Sequence, residues 1–373
     1  MTAVEAATFA IVTGGGTAGH VLPAIAIADA LRAAGHPQVA IHYVGAARGI
    51  EAGLVPATGY PMTLLPGRGI QRKLTPANLG AVAGLLVAVA RAVRLVGRLR
   101  PQVVIAVGGY ASVAVGLAAV LRRVPIVVAE QNQVPGAANR LLARVAKASA
   151  TSFEGTRLPR AVVTGNPIRA EISAIDPRRD RATARAAFGV GPGRRLLLVF
   201  GGSLGALRIN EAVLAAVPSW RGRSDLVVHH VVGRRDWEAL TARPRPDPGA
   251  LEYRMVPYED DMPTALAAAD LAVCRAGSST CFELAAASLP AVLVPSPHVT
   301  ADQQTGNARR LVDAGAAVLV PDEQLDGPGP AATVDALLAD GVRLASMGVA
   351  ARSWARPHAA ADIAALAEAH ARG

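Results

Sequence analysis

The sequence predicts an α/β protein made of two doubly wound, Rossmann-like parallel-sheet domains facing each other across a cleft. Two observations carry that prediction. First, an apolar strand runs straight into a glycine-rich turn that opens a helix, and it does so twice. Residues 9–13 lead into Gly14-Gly15-Gly16-Thr17-Ala18-Gly19-His20, and residues 196–200 lead into Gly201-Gly202-Ser203-Leu204-Gly205-Ala206. Each such unit aims unpaired backbone N–H groups and the positive end of a helix at one point, which suits a phosphate. Second, 51% of the residues are hydrophobic but only 3% are aromatic, so the core is built of Ala, Val, Leu and Ile. That composition fits buried parallel strands and close-packed helices. At 373 residues the chain can bury two cores of ordinary size. One phosphate-type turn in each of two domains points to a nucleotide-diphosphate ligand.

The elements follow in βαβ order. Short apolar runs bounded by Gly, Pro or charged residues predict strands at residues 9–12, 39–44, 103–107, 126–129 and 162–164. Longer Ala- and Leu-rich stretches between them predict helices near 23–34, 76–99, 111–121 and 136–146. The second half repeats the pattern, with strands at 196–200, 226–232, 271–274, 291–294 and 317–320. Its helices are expected near 206–217, 280–287, 303–314 and 331–338. Pro167, Pro177 and a run of charges interrupt the alternation within residues 166–181. The domains are therefore expected at 1–170 and 171–340, with a last helical segment, about 341–373, packing back on the first.

Composition also excludes. The net charge is +10, from 38 Lys and Arg against 28 Asp and Glu. A basic surface suits anionic lipid or a phosphorylated substrate. Nucleic acid is not an expected partner, because the chain has no helix-turn-helix, zinc finger or RNA-binding aromatic platform. Cys274 and Cys281 match no metal or redox spacing, and no signal peptide is evident, so a reduced cytosolic protein is expected. No window reaches the roughly 18 apolar residues of a spanning helix.

An α/β scaffold collects its ligand-binding residues at the carboxyl ends of the strands. In the first half these are residues 13–20, Gly108-Gly109-Tyr110 and Glu130-Gln131-Asn132; in the second, residues 201–205, 257–262, 275–283 and 297–304. Glu283 either completes a capping box with Ser279 or Thr280, or accepts hydrogen bonds from ribose hydroxyls. His20 either caps its helix or serves as general base. Gln303, Gln304 and Asn307 either lie on an exposed helix face or offer neutral amides to sugar hydroxyls. Gly14-x-Gly16-x-x-Gly19 matches the dinucleotide fingerprint, but the expected acid at the end of the second strand is missing and the nearest is Glu51. That argues against an NAD oxidoreductase. Glu259-Asp260-Asp261 lacks an Asp-x-Asp at a strand end, so no metal site and no cofactor are expected. Helix N-termini and a cation such as Arg169 or Arg275 would then meet leaving-group charge, with no divalent cation needed for tight binding.

Residues 79–90 form an uncharged stretch flanked by Arg68, Arg72 and Lys73 before it and Arg91, Arg94 and Arg98 after it. Arg140, Arg144 and Lys147 make a second basic stripe. Each reads either as the solvated face of a core helix or as a basic rim that rests on an anionic membrane surface.

Taken together, these residues resemble the MurG family of bacterial peptidoglycan N-acetylglucosaminyltransferases. The resemblance rests on Gly14-Gly-Gly-Thr-Ala-Gly-His-Val-Leu-Pro23, Gly108-Gly-Tyr110, Glu130-Gln-Asn132 and Thr164-Gly-Asn-Pro-Ile-Arg169. It continues through Gly201-Gly-Ser-Leu-Gly-Ala206, Arg275-Ala-Gly-Ser-Ser-Thr-Cys-Phe-Glu283 and Asp302-Gln-Gln304 with Asn307, in order, over residues 9–320. It implies a GT-B fold and an inverting transfer of GlcNAc from UDP-GlcNAc to the 4-hydroxyl of the muramoyl sugar of lipid I, giving lipid II. It also implies a peripheral protein on the cytoplasmic face of the inner membrane, with an acceptor-binding first domain and a donor-binding second domain.

By position, the resemblance places Thr17, Ala18 and Gly19 near the donor diphosphate and the acceptor, and has Asn132 and Arg169 contact donor or phosphate. Ser203 would meet the donor diphosphate, the backbone at Glu259 the uracil, and Ser278, Ser279 and Thr280 a phosphate. Glu283 would hold the ribose and Gln303 and Gln304 the donor sugar, with Tyr110, Arg275 and Asn307 also in the substrate site. The alternatives are a UDP-GlcNAc 2-epimerase of similar architecture and a non-catalytic protein that binds nucleotide sugar at a membrane surface.

Overall fold

A computed structural model of the chain describes residues 7–67, 77–202, 205–326 and 329–372. They form two compact units, one from Met1–Arg169 with Arg356–Gly373, the other from Ala170–Ala355. The break in the chain falls between Arg169 and Ala170.

The first unit is a seven-stranded, all-parallel sheet. Its strands are β1 (Ala10–Gly14), β2 (Ile41–Ala46), β3 (Met62–Leu65), β4 (Val103–Gly108), β5 (Ile126–Glu130), β6 (Ala148–Thr151) and β7 (Ala161–Val163). They lie in the order β3-β2-β1-β4-β5-β6-β7. Neighbouring residues on a strand face opposite sides of the sheet, so a sheet covered on both faces needs unbroken apolar runs. Ala10 and Val12 of β1, with Val103, Ile105 and Val107 of β4, pack under the helices Ala18–Ala33 and Ala359–His370. Ile11, Val104 and Ala106 turn the other way, under the helices Ala77–Leu99 and Tyr110–Leu121.

The second unit is a six-stranded parallel sheet. Its strands are β8 (Arg195–Phe200), β9 (Leu226–Val231), β10 (Glu252–Val256), β11 (Leu271–Cys274), β12 (Ala291–Leu293) and β13 (Ala317–Leu319). The order is β10-β9-β8-β11-β12-β13. Both sheets reverse direction of growth once, between β1 and β4 and between β8 and β11, and such switch points are where open α/β sheets take their ligands.

Three strands, β3, β6 and β10, lie outside the expected runs. β3 and β10 are edge strands whose residues are mostly half-buried, and β10 includes Glu252 and Arg254. β6 is fully buried, but Ala148, Ser149, Ala150 and Thr151 are small and partly polar. The expected terminal helix is a correction. Pro357 divides it, leaving Gly341–Trp354 and Ala359–His370 in different units. The first stays with the second unit, where the Trp354 ring lies 4.5 Å from that of Phe282 and Arg352 donates to the Ala286 carbonyl at 2.6 Å. Only the second returns to the first unit, burying Ile363, Ala364 and Ala367.

Among the described residues no helix is long and apolar enough to cross a membrane. Cys274 and Cys281 are free and buried, and burial pushes the Cys281 thiol up to about 12.

Candidate active site

At the switch point of the first sheet, β1 ends at Gly14, whose register partner on β4 is Gly108. Gly15 donates to the Gly108 carbonyl at 3.2 Å, and Ser112 ties the two strands by donating to the Thr13 carbonyl at 2.7 Å. The turn that follows needs glycine for two separate reasons. Gly16 sits at φ 90°, in the region L side chains avoid. Gly109, at φ 86°, lies so close to the Gly15 carbonyl that a Cβ would collide with it.

The helix Ala18–Ala33 then starts from Thr17, which makes no side-chain cap bond. Instead the Thr17 hydroxyl lies 3.3 Å from His20 Nδ1. The half-buried His20 ring lies over Gly108, where a Cβ would stand 2.8 Å from Cδ2 and 2.9 Å from Nε2. Burial holds the His20 imidazole below its usual 6.5, outweighing the Glu130 carboxylate, a Gly15 backbone hydrogen bond and Glu51, which all pull it up. A neutral imidazole beside an uncapped helix N-terminus can take a proton.

Glu130, at the end of β5, is 2% exposed and organises the next loop. Its carboxylate accepts from the Asn132 and Gly136 backbones, each at 2.9 Å, and from Asn139 Nδ2 at 2.9 Å. Asn132 is thus held at the rim. Tyr110 directs its hydroxyl to the Pro66 carbonyl at 3.1 Å, which fixes the ring against the neighbouring loop. Arg169 ends the unit's first segment, half-buried, and its Nε is buried without a hydrogen bond.

The second unit repeats the design at its own switch point. After β8 the turn has Gly202 at φ 86° and Gly205 at φ 79°, and the helix Leu207–Ala216 starts from Ala206 without a side-chain cap. Ser203 lies outside the described residues. After β11, the helix Ser278–Ala286 starts from Gly277, also without a side-chain cap. The capping-box reading of Glu283 is therefore corrected: Ser278, Ser279 and Thr280 form the first helical turn, and Glu283 lies in the second, half-buried. Elsewhere Asp176, Asp261 and Asp340 do cap their helices. The helices after β1, β4, β8 and β11, at the two switch points, all start without a side-chain cap, as do those that start from Gly136, Gly233 and His358.

Other expected residues also make bonds within the scaffold. Arg275 pairs through Nη1 with Asp322 at 2.5 Å and donates to the Val294 and Pro295 carbonyls, each at 3.2 Å, so part of its charge is met within the scaffold. Asn307 does not lie on an exposed helix face: it is fully buried and donates to the Ala276 carbonyl at 3.2 Å, holding the turn after β11. Gln304 accepts from the Ser296 backbone at 2.8 Å, beside Gln303 at the start of the helix Gln303–Asp313. The Glu259 side chain points back to His229 Nε2 at 2.8 Å and accepts from the Asp261 backbone at 2.8 Å. That orientation leaves the loop's main chain, rather than its carboxylate, to read a ligand. Sequence reasoning missed Glu51, Asn139 and His229, each of which acts on a rim loop from a distance along the chain that no local pattern reveals. Among the described residues no group of three or more His, Cys, Asp or Glu could hold a metal.

Comparison with known proteins supplies the rest. The glycosyltransferase family 28 N-terminal domain matches residues 10–151, and the family's C-terminal domain matches residues 196–365. The chain is 43% identical over 358 residues to the UDP-N-acetylglucosamine--N-acetylmuramyl-(pentapeptide) pyrophosphoryl-undecaprenol N-acetylglucosamine transferase of Frankia casuarinae, covering 95% of this chain and 94% of that protein. It is 45% identical over 346 residues to the transferase of the same name from a Nocardioides species, covering 91% and 92% of the two chains. Among solved structures, it superposes on Acinetobacter baumannii MurG with a TM-score of 0.78 at 29% identity, covering 97% of this chain and 99% of that one.

Proposed function

The chain belongs to glycosyltransferase family 28, and from that premise we propose that it carries GlcNAc from UDP-GlcNAc to the muramoyl sugar of lipid I, making lipid II for peptidoglycan. It is a GT-B N-acetylglucosaminyltransferase, and transfer is favoured over epimerisation or silent binding by near-full-length identity to proteins named for that reaction. The observation that carries the mechanism is the pairing, in one unit, of an uncapped helix N-terminus with a half-buried His20 whose proton affinity is lowered by burial.

The reaction is a single displacement. The acceptor 4-hydroxyl attacks the anomeric carbon as UDP departs from the opposite face, which inverts the configuration. His20 takes the hydroxyl proton, a contribution on the order of 10²–10⁴ in rate. The first unit takes the acceptor, with Thr17, Ala18, Gly19, Tyr110 and Asn132 at its rim and Arg169 as the cation. The second takes the donor: the turn with Ser203 and the helix with Ser278, Ser279 and Thr280 face phosphate, Glu283 the ribose, the Glu259 backbone the uracil, and Gln303 and Gln304 the sugar. Helix N-termini neutralise the leaving diphosphate, so no tightly bound divalent cation is needed.

The reading also takes the protein to the cytoplasmic face of an anionic membrane, and the surface of the first unit supports the membrane contact. On the helix Ala77–Leu99, Leu86 is 67% and Val87 48% exposed, and Arg91, Arg94 and Arg98 are exposed beyond them. Leu141 and Val145 are exposed beside Arg140, Arg144 and Lys147. Arg68, Arg72 and Lys73 lie outside the described residues.

A transfer assay with labelled UDP-GlcNAc and a lipid I analogue tests this reading. Label passes into lipid, and it does so equally in EDTA. With His20→Ala, turnover at saturating acceptor drops by roughly 10²-fold or more. The wild-type rate falls on acidification below pH 6.5, because the base must be neutral and burial depresses its proton affinity. Release of free epimerised sugar nucleotide without acceptor, or full turnover of His20→Ala, would overturn it.

A further inference from the structure

Glu51 is the acid nearest the place where a dinucleotide-binding domain would hold a ribose, yet the structure gives it a different position. It opens the short helix Glu51–Leu54 and is completely buried. Its Oε2 accepts from the Gly16 backbone at 3.0 Å and its Oε1 from the Ala46 backbone at 2.7 Å. One carboxylate therefore bridges the turn after β1 and the end of β2. Three glycines make room for it. A Cβ at Gly15 or Gly49 would collide with the carboxylate oxygens, and one at Gly45 would lie 2.5 Å from Cγ. Gly16, the residue it holds, is the one whose φ of 90° sets the direction of Thr17 and of the helix that carries His20.

We propose that Glu51 is a positioning residue of the transfer reaction: its buried carboxylate clamps the first glycine turn, and through it sets the place of His20. The clamp explains why this turn keeps its shape with no side-chain cap on its helix. A bare carboxylate in the interior is costly unless backbone donors meet it, and here both donors belong to the loops it joins. Around His20 the charged groups are Glu130 from the end of β5 and Glu51 from below the turn; Thr17 and Asn139 complete the polar surroundings. The Tyr43 hydroxyl, which donates to the Gly14 carbonyl at 2.5 Å, stays neutral under burial and the pull of Glu51. Both carboxylates favour the imidazolium, so removing one makes His20 a weaker base.

The inference rests on His20 as the base, and the test separates the two claims. Glu51→Gln retains the size of the side chain but has one acceptor oxygen for two N–H groups. Its kcat falls roughly tenfold to a hundredfold, the penalty of a misplaced catalytic group, while KM for UDP-GlcNAc stays within about twofold. The His20 imidazole, followed by NMR in the free enzyme, titrates at lower pH than in the wild type. Gly45→Ala, which pushes on the Glu51 stem and keeps the charge, lowers kcat without that charge-driven titration shift. An unchanged kcat with an unchanged His20 titration in Glu51→Gln overturns the proposal. A titration shift with full turnover in His20→Ala would instead leave the clamp standing and remove the base. Should Glu51→Gln not fold, Gly45→Ala decides alone: wild-type kcat there sinks the clamp.

Discussion

Glu283 illustrates how one helical turn changes the meaning of a residue. Had the helix begun at Thr280, its carboxylate would have faced the helix's own first N–H groups, and its role would have been structural. The helix begins at Ser278, so Glu283 stands on the second turn, past the reach of a capping box. The ribose role proposed for Glu283 is a bond to a pair of hydroxyls from that second turn. Charge-assisted bonds of this kind contribute about 1.5–3 kcal/mol each. Glu283→Gln is accordingly expected to raise KM for UDP-GlcNAc by roughly tenfold to a hundredfold with little change in kcat. Donor-saturation kinetics beside a melting curve check it, because a structural role would lower the melting temperature and spare KM. Arg275 and Asn307 show the opposite outcome. Arg275 follows β11 and Asn307 sits in the helix Gln303–Asp313, and each makes a bond within the scaffold, to Asp322 and to the Ala276 carbonyl.

At the scale of elements, the helix Ala77–Leu99 serves two surfaces. Ala88, Ala92, Leu95 and Val96 join the core beneath the first sheet, so the helix is a core helix. Leu86 and Val87 face outward all the same, and Arg91, Arg94 and Arg98 extend that face. The two readings of this stretch are thus not exclusive, since they belong to opposite sides of one cylinder. Each cation near an anionic surface contributes about 1 kcal/mol. Replacing Arg91, Arg94 and Arg98 together by serine should weaken partition onto phosphatidylglycerol vesicles by up to roughly a hundredfold while leaving the melting temperature unchanged. Co-sedimentation at two salt concentrations measures this, and undiminished binding by the triple variant would place the membrane contact elsewhere.

At the scale of the molecule, the chain leaves the first unit at Arg169 and returns at Arg356. The returning helix buries Ile363, Ala364 and Ala367 against the first sheet, and His36 meets Glu368 at 2.9 Å. Ending the chain after Ala355 would expose apolar surface worth on the order of 4 kcal/mol. Calorimetry of that truncation should show a destabilised first unit beside an unshifted second one. A single shared transition, lowered as a whole, would mean the two units do not unfold separately.

The sequence by itself determined the class of fold and the location of the two glycine turns, because both are local: strand periodicity, a run of glycines and a helix start lie within a few residues of one another. It also determined the family, since ordered motifs carry that information without coordinates. It did not reveal β3, an edge strand of only four residues, or β6 and β10, whose residues are small or include charges, so that pairing with neighbours rather than their own hydrophobicity makes them strands. Nor could it assign Glu51 to Gly16, 35 residues away, or His229 to Glu259, 30 residues away, since each pair meets only when separate strands align in one sheet. Which strand-end residues remain open to a ligand and which are spent on the scaffold is likewise a property of the packed molecule. A side chain's hydrogen-bonding capacity is finite, and only the tertiary structure decides who uses it.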